Sequence, residues 1–188
     1  MMSSLLDSVV LYPSDAISAV KLVEEASKHN GLVYIRTTRK DTPHLYEDTE
    51  LFPIGKSKIL KSSDGDAITL IASGITLHEA LKAYDLLKNE GIFVRVIDLY
   101  SIKPIDRQTL LKAHEDTQAL ITVEDHYKHG GLGSAVNDAL SSIKNRKPLY
   151  KLAVEKLPKS GTPEELLSYE EIDASAIVKK VKEIIASF

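Results

Sequence analysis

The feature that most constrains this chain is a change of period that recurs along it. Short apolar runs rich in β-branched residues are each followed by a run whose apolar residues return every three or four positions. The clearest example starts at Ile68-Thr69-Leu70-Ile71-Ala72-Ser73, which is almost continuously apolar. A strand with one wet face would alternate, so a run like this needs cover on both faces. Gly74-Ile75-Thr76 then turns the chain, and Thr76 with Glu79 three residues on matches a capping box. Leu77, Ala80, Leu81, Tyr84 and Leu87 form one helical stripe that ends at Gly91. The alternation continues with a strand over Phe93–Leu99, a short helix over Ile105–His114, a strand over Ala119–Val123 and a helix over Ser134–Ile143. A strand over Leu149–Val154, of open direction, and a helix striped by Ile177, Val181, Ile184, Ile185 and Phe188 close the series. Strand–helix–strand alternation with short loops predicts the α/β class: three layers, a mostly parallel sheet with helices on both faces.

A shorter series precedes it. Val9–Tyr12 reads as a strand that stops at Pro13, and Ser14-Asp15 offers a helix N-cap. Ile17, Val20, Val23 and Ala26 repeat at helical spacing up to Asn30-Gly31, and Leu32–Ile35 is a second strand. Residues 1–40 therefore read as a partial α/β segment, strand–helix–strand. Residues 41–65 hold Pro43, Pro53, Gly55 and the polar turn Ser62-Ser63-Asp64-Gly65. That stretch exceeds the usual connection and reads as an interdomain linker. Residues 66–188 are expected to fold as one autonomous unit. Two strands and a helix rarely do so alone, so residues 1–40 should be ordered by packing on something else.

Composition closes off several classes. A balance of 24 basic and 27 acidic side chains, net −3, gives no general pull toward nucleic acid or an anionic membrane. The absence of cysteine excludes disulfides, thiolate metal sites and thiol nucleophiles, and fits a reducing compartment. No apolar run approaches the roughly 20 residues that a membrane helix requires. Met1–Leu11 lacks a basic region before its apolar residues and is interrupted by Asp7, so it does not read as a secretory signal. A cytoplasmic location is expected.

Two constellations could carry chemistry. Glu124-Asp125-His126 follows the strand ending at Val123, and Gly130-Gly131-Leu132-Gly133 opens the next helix. Ligands in open α/β sheets sit beyond the carboxyl ends of strands, and a helix N-terminus attracts anions. The competing reading makes these residues caps and assembly contacts, and the spacing is neither G-x-G-x-x-G nor a Walker loop. Arg36 and Arg39 flank Thr37-Thr38 at the end of the second strand. A guanidinium beside hydroxyls suits a phosphate, and the alternative is a surface ion pair with Asp41, Glu47 or Asp48. His29, His44, His78 and His114 are scattered without metal spacing. Lys179, Lys180 and Lys182 lie opposite the apolar stripe of the last helix and read as a solvated face.

Several segments, in order, resemble the C-terminal part of the transketolase family, in its animal-type branch: Leu11-Tyr12-Pro13-Ser14-Asp15, Tyr34-Ile35-Arg36-Thr37-Thr38-Arg39, Gly74-Ile75-Thr76-Leu77-His78-Glu79-Ala80, Ile97–Asp106, Val123-Glu124-Asp125-His126-Tyr127 with the glycine turn, and Leu157–Leu167. The resemblance implies a parent of three domains that moves a two-carbon ketol unit between phosphorylated sugars of the pentose phosphate pathway, using thiamine diphosphate and Mg2+ (or Ca2+). Residues 1–40 match the tail of the pyrimidine-binding domain, and residues 66–188 the complete C-terminal domain. The diphosphate motif and the glutamate that activates the cofactor have no counterpart here, so this chain alone is expected to hold no cofactor and no metal and to be inactive. Its implied partners are the rest of the transketolase chain or a separate N-terminal subunit, in a homodimeric parent, together with sugar phosphates. Of the substrate-binding residues, only Arg39 matches: it stands where the family places the arginine for the sugar phosphate. Two other readings remain open. One is a docking module of deoxyxylulose-phosphate synthase or a 2-oxo-acid dehydrogenase beta subunit. The other is a small regulatory domain that binds an anion at Gly130–Gly133.

Overall fold

The computed structural model describes residues 2–188. After a 3-10 turn at Met2–Ser4 come β1 (Val9–Leu11), α1 (Ala16–Lys28) and β2 (Val33–Ile35). β3 (Lys58–Lys61), β4 (Ile68–Ala72), α2 (Ile75–Asn89), β5 (Val94–Asp98) and β6 (Ser101–Lys103) follow. The chain ends with α3 (Arg107–Asp116), β7 (Ala119–Tyr127), α4 (Leu132–Ala139), β8 (Leu149–Val154), α5 (Pro163–Tyr169) and α6 (Ala174–Ile185).

The larger sheet has five strands in the order β3-β5-β4-β7-β8. β4 pairs in parallel with β5 and β7, and β8 with β7, which settles the direction of that last strand. β3 is an antiparallel edge. The unbroken apolar runs have the predicted cause. Ile68, Leu70, Ala72, Val94, Val96, Ile121 and Val123 pack against α2 and α6, with Leu167 of α5. On the other face Ile71, Ile97, Leu99 and Leu120 pack against Leu110 and Ala113 of α3 and Leu132 and Val136 of α4. Each fully buried aliphatic side chain contributes roughly 1.5–3 kcal/mol, so this double-faced core dominates the stability of the larger sheet.

The smaller sheet has three strands in the order β2-β1-β6. β1 is parallel to β2 and antiparallel to β6. The two sheets thereby exchange strands. β3, from the stretch before residue 66, lies in the larger sheet, and β6, from the later series, lies in the smaller one.

Several local expectations are corrected. The stretch 41–65, which the sequence pattern presents as a linker without a strand, supplies β3, and Tyr46 and Phe52 are buried beside Val9, Leu11, Leu22 and Tyr100. Ring edges meet faces there, at 4.8 Å for Tyr46–Phe52 and 5.1 Å for Phe52–Tyr100. β6 and α5 were also unassigned. The capping box at Thr76 does not form: Gly74 is the N-cap, the Thr76 hydroxyl donates to the carbonyls of Ser73 and Val123, and Glu79 accepts from the Ala174 amide. β7 runs four residues past Val123, through Glu124-Asp125-His126 to Tyr127, with a register shift against β8.

Candidate functional site

The carboxyl ends of β1, β2, β4 and β7 meet where the two sheets join. A cavity of about 320 Å3 opens there, lined among others by Tyr12, Tyr34, Arg36, Asp125, His126 and Leu132. The chain leaves β2 at Arg36, whose amide donates to the Leu11 carbonyl at 2.9 Å. Its guanidinium donates through Nη2 to Asp125 Oδ2 at 2.8 Å and to the Asp125 carbonyl at 3.0 Å. The Tyr12 hydroxyl donates to the same Oδ2 at 3.0 Å, and the guanidinium lies 4.8 Å from the centre of the Tyr12 ring. Burial first, and the Asp125 carboxylate second, hold the Tyr12 phenol well above its ordinary pKa, so it remains a donor. Tyr12 is itself fixed by its amide, which donates to the Tyr100 carbonyl at 2.8 Å, and by Gly74. Gly74 has φ +58°, and a Cβ there would fall inside the Tyr12 ring. Glycine is thus required on two counts.

The glycine turn is already filled, by a carboxyl group of the chain's own. Glu124 is 2% exposed, and its Oε1 accepts from the Gly133 amide at 2.9 Å at the start of α4. A Cβ on Gly131 would collide with Glu124 Oε2. One on Gly133 would come within 2.8 Å of Oε1 and 2.7 Å of Thr122 Oγ1. The glycines make room for a carboxylate from β7 that caps the helix, the favourable sign at an N-terminus. Burial is the largest influence on Glu124 and pushes its pKa up to about 7 against the amides of Gly133 and Leu132. Its Oε2 has no hydrogen-bond partner among the described residues.

A second buried cluster links the regions behind Tyr12. The Ser14 hydroxyl donates to Asp98 Oδ1 at 3.1 Å and accepts from the Gly74 amide at 2.9 Å. The Tyr46 hydroxyl donates to Asp98 Oδ2 at 2.5 Å. Burial pushes Asp98 up to about 7, opposed by those two hydrogen bonds. Asp15 caps α1 through the Ser18 amide at 2.7 Å, as predicted, and also receives the amides of Leu45 and Tyr46. Asp98, Tyr46 and Tyr12 were not singled out as functional from the sequence. The adjoining Ser14-Asp15, read only as a cap, was the available signal.

The predicted site residues separate. Arg36 is committed to Asp125 and not to Asp41, Glu47 or Asp48. Arg39 is exposed, and it has no ion pair among the described residues. His126 is exposed, with Nδ1 2.7 Å from the Tyr127 carbonyl. His78 is buried against the Ser14 carbonyl at 2.6 Å, and His114 Nε2 accepts from the Lys147 amide at 2.9 Å, with burial lowering its pKa. Lys180 and Lys182 pair with Glu183 and Glu90 on the solvated face.

Residues 55–177 match the family model for the transketolase C-terminal domain. The chain belongs to the transketolase family. Mouse transketolase-like protein 2 is 43% identical over 98% of this chain, and human transketolase 41% identical over 98%. This chain spans about 30% of the length of each of those relatives. A solved structure described as a split gene transketolase, inactive beta4 tetramer, superimposes with a TM-score of 0.88 at 35% identity, covering 97% of this chain and 58% of that one. The transketolase of Campylobacter jejuni shares the fold, with a TM-score of 0.73 at 17% identity over 97% of this chain and 27% of that one. The likeness to transketolases therefore includes the residues before the C-terminal domain as well as the domain itself. No three His, Asp or Glu side chains converge as a metal centre among the described residues.

Proposed function

We propose that this chain works as the C-terminal portion of a transketolase that moves a two-carbon ketol unit between sugar phosphates, and that it acts only together with the remaining portion. The observation that carries this reading is the extent of the likeness: nearly the whole chain aligns with transketolases, yet it spans under a third of their length. Thiamine diphosphate and its metal belong to the remaining portion, in the same chain or in a separate N-terminal subunit, and the complete enzyme is a cytoplasmic homodimer. The likeness to the inactive beta4 tetramer supports self-association of this portion without activity. No helix among the described residues is long and apolar enough to cross a membrane. Within the complete enzyme Arg39 grips the phosphate of the sugar by paired charge-assisted hydrogen bonds. Its exposure and lack of an ion pair support that role, since a guanidinium already bound to a carboxylate would have to give it up.

Calorimetry of the chain with thiamine diphosphate and Mg2+ tests the first claim. The expected result is no binding by the chain alone, and ketol transfer only after the complementary portion is added. Low-micromolar binding or ketol transfer by the chain alone would overturn the reading. For the second, Arg39→Ala in the complete enzyme should remove roughly 2–4 kcal/mol of binding for phosphorylated substrates. An equal loss on unphosphorylated sugars would make Arg39 a structural residue.

A further inference from the structure

We propose that Arg36, Asp125 and Tyr12 form a positioning clamp through which the C-terminal domain sets the reach of Arg39. This rests on the phosphate role of Arg39 above.

Arg39 lies three residues beyond the last point at which the chain is held by β-sheet pairing. What fixes the intervening turn is visible on both sides. Upstream, Arg36 is fastened to β7 by two hydrogen bonds to Asp125, one to the side chain and one to the backbone. The Tyr12 ring under the guanidinium and the Tyr12 hydroxyl on Asp125 close that arrangement into a triangle. Downstream, Lys40 pairs with Glu164 at the start of α5, and Thr38 Oγ1 donates to the Lys40 carbonyl at 3.2 Å. Leu45 and Tyr46 are then held by Asp15. The turn Thr37–Arg39 is therefore slung between anchors on β7 and α5, both from the C-terminal domain, although it leaves from β2 of the smaller sheet.

Arg36 and Asp125 side chains are only 32% and 20% exposed, so water does not fully compete for their contact. A guanidinium that shares a carboxylate with a phenol is held in place, because the two bonds from Nη2, to the Asp125 carboxylate and carbonyl, and the Tyr12 ring face all constrain it. Binding energy from a phosphate far from the reacting carbon aids reaction only if the gripping group is placed within a fraction of an ångström. Neither Arg36 nor Asp125 touches the phosphate in this scheme. They act through Arg39.

The test is made in the complete enzyme, assembled from this chain and its complementary portion, by steady-state kinetics on ribose 5-phosphate and on ribose. The quantity read is the ratio of kcat/KM for the phosphorylated over the unphosphorylated sugar. Asp125→Asn should lower that ratio about tenfold, through KM, by loosening the placement of Arg39. Arg36→Lys, which keeps the charge but loses the planar guanidinium and its stacking on Tyr12, should lower it in the same direction. Combined with Arg39→Ala, neither variant should lower the ratio further, since groups that act through one residue are not additive. The clamp is overturned if both variants keep the ratio within twofold while Arg39→Ala collapses it, or if they lower kcat/KM equally on both sugars. If Arg39→Ala itself leaves the ratio intact, the phosphate role has failed, and the clamp with it. Should Asp125→Asn not assemble, Arg36→Lys alone decides between these outcomes.

Discussion

The two sheets of this chain are built to different standards of closure. Every residue of β4 and β5 is buried, and helices cover both faces of the larger sheet. In the smaller region β2 is an edge strand whose residues are half-buried or exposed, and α1 buries only Ser18 and Leu22. Val20 and Val23 are 58% and 55% exposed on that helix, with Leu32 and Tyr34 also open nearby. An apolar face of this size beside an unpaired strand edge is the mark of a surface that something else covers. The same helical period that predicts burial in α2 predicts it in α1, yet α1 seats Leu22 and part of Ile17 inside the chain and leaves Val20 and Val23 open. One region is a finished core. The other is less fully closed, held in order by strand exchange and by the Tyr12–Asp125 and Ser14–Asp98 contacts.

The largest expected effect probes the finished core. Leu70→Ala should cost about 2–5 kcal/mol in chemical denaturation, because the site is walled on both sides and cannot collapse. A cost below about 1 kcal/mol would mean that the larger sheet is not the main source of stability.

The next sits at the joint. Glu124 has its folded pKa raised from 4.5 to about 7, so the folded state binds more protons than the unfolded one between those values. Stability from this group is therefore fully present below about pH 4.5 and is lost as pH rises through about 7, by roughly 1–3 kcal/mol. Glu124→Gln, which keeps an acceptor for the Gly133 amide, should flatten that slope and raise stability at pH 8. An unchanged slope between pH 5 and 8 would assign it elsewhere, Asp98 being the first alternative.

The smallest effect sharpens the contrast itself. Val23→Ser should change the stability of the isolated chain by no more than about 0.5 kcal/mol, as for any exposed position. In the complete enzyme the same change should weaken association of this chain with the remaining portion, measured by sedimentation. Equal association with and without Val23 would mean that this face of α1 stays open to solvent.

Most of the larger sheet was legible because its strands carry their evidence inside themselves: Ile68–Ala72 and Val94–Asp98 are apolar on both faces and need no context. β3 was not, because Lys58-Ile59-Leu60-Lys61 is an edge strand with alternate residues in water, lying between a proline-rich stretch and a polar turn. β6 is three residues long and exists only because β1 is there to pair with it. α5 carries a sequence signal that the reading above leaves unused: Thr162 and Glu165 form a true capping box, with Pro163 in the first turn. Thr76 and Glu79 gave the same signal falsely, since β7 and α6 offer their side chains other partners. At the site, residue type and spacing located the Glu124–His126 strand end and the glycine turn. They could not show that Glu124 folds back into the turn nine residues on, which depends on side-chain placement, nor which of two arginines is free, which depends on Asp125, 89 positions from Arg36.

The Tyr12 ring occupies the volume that a side chain at position 74 would need, in the manner of a pin in a socket. A joint of that form resists sliding, since lateral travel drives the ring into the backbone of the turn. It yields only to withdrawal, and withdrawal breaks the hydrogen bond to Asp125 at the same moment. The seating of the ring over Gly74 and its bond to Asp125 are therefore kept or lost together.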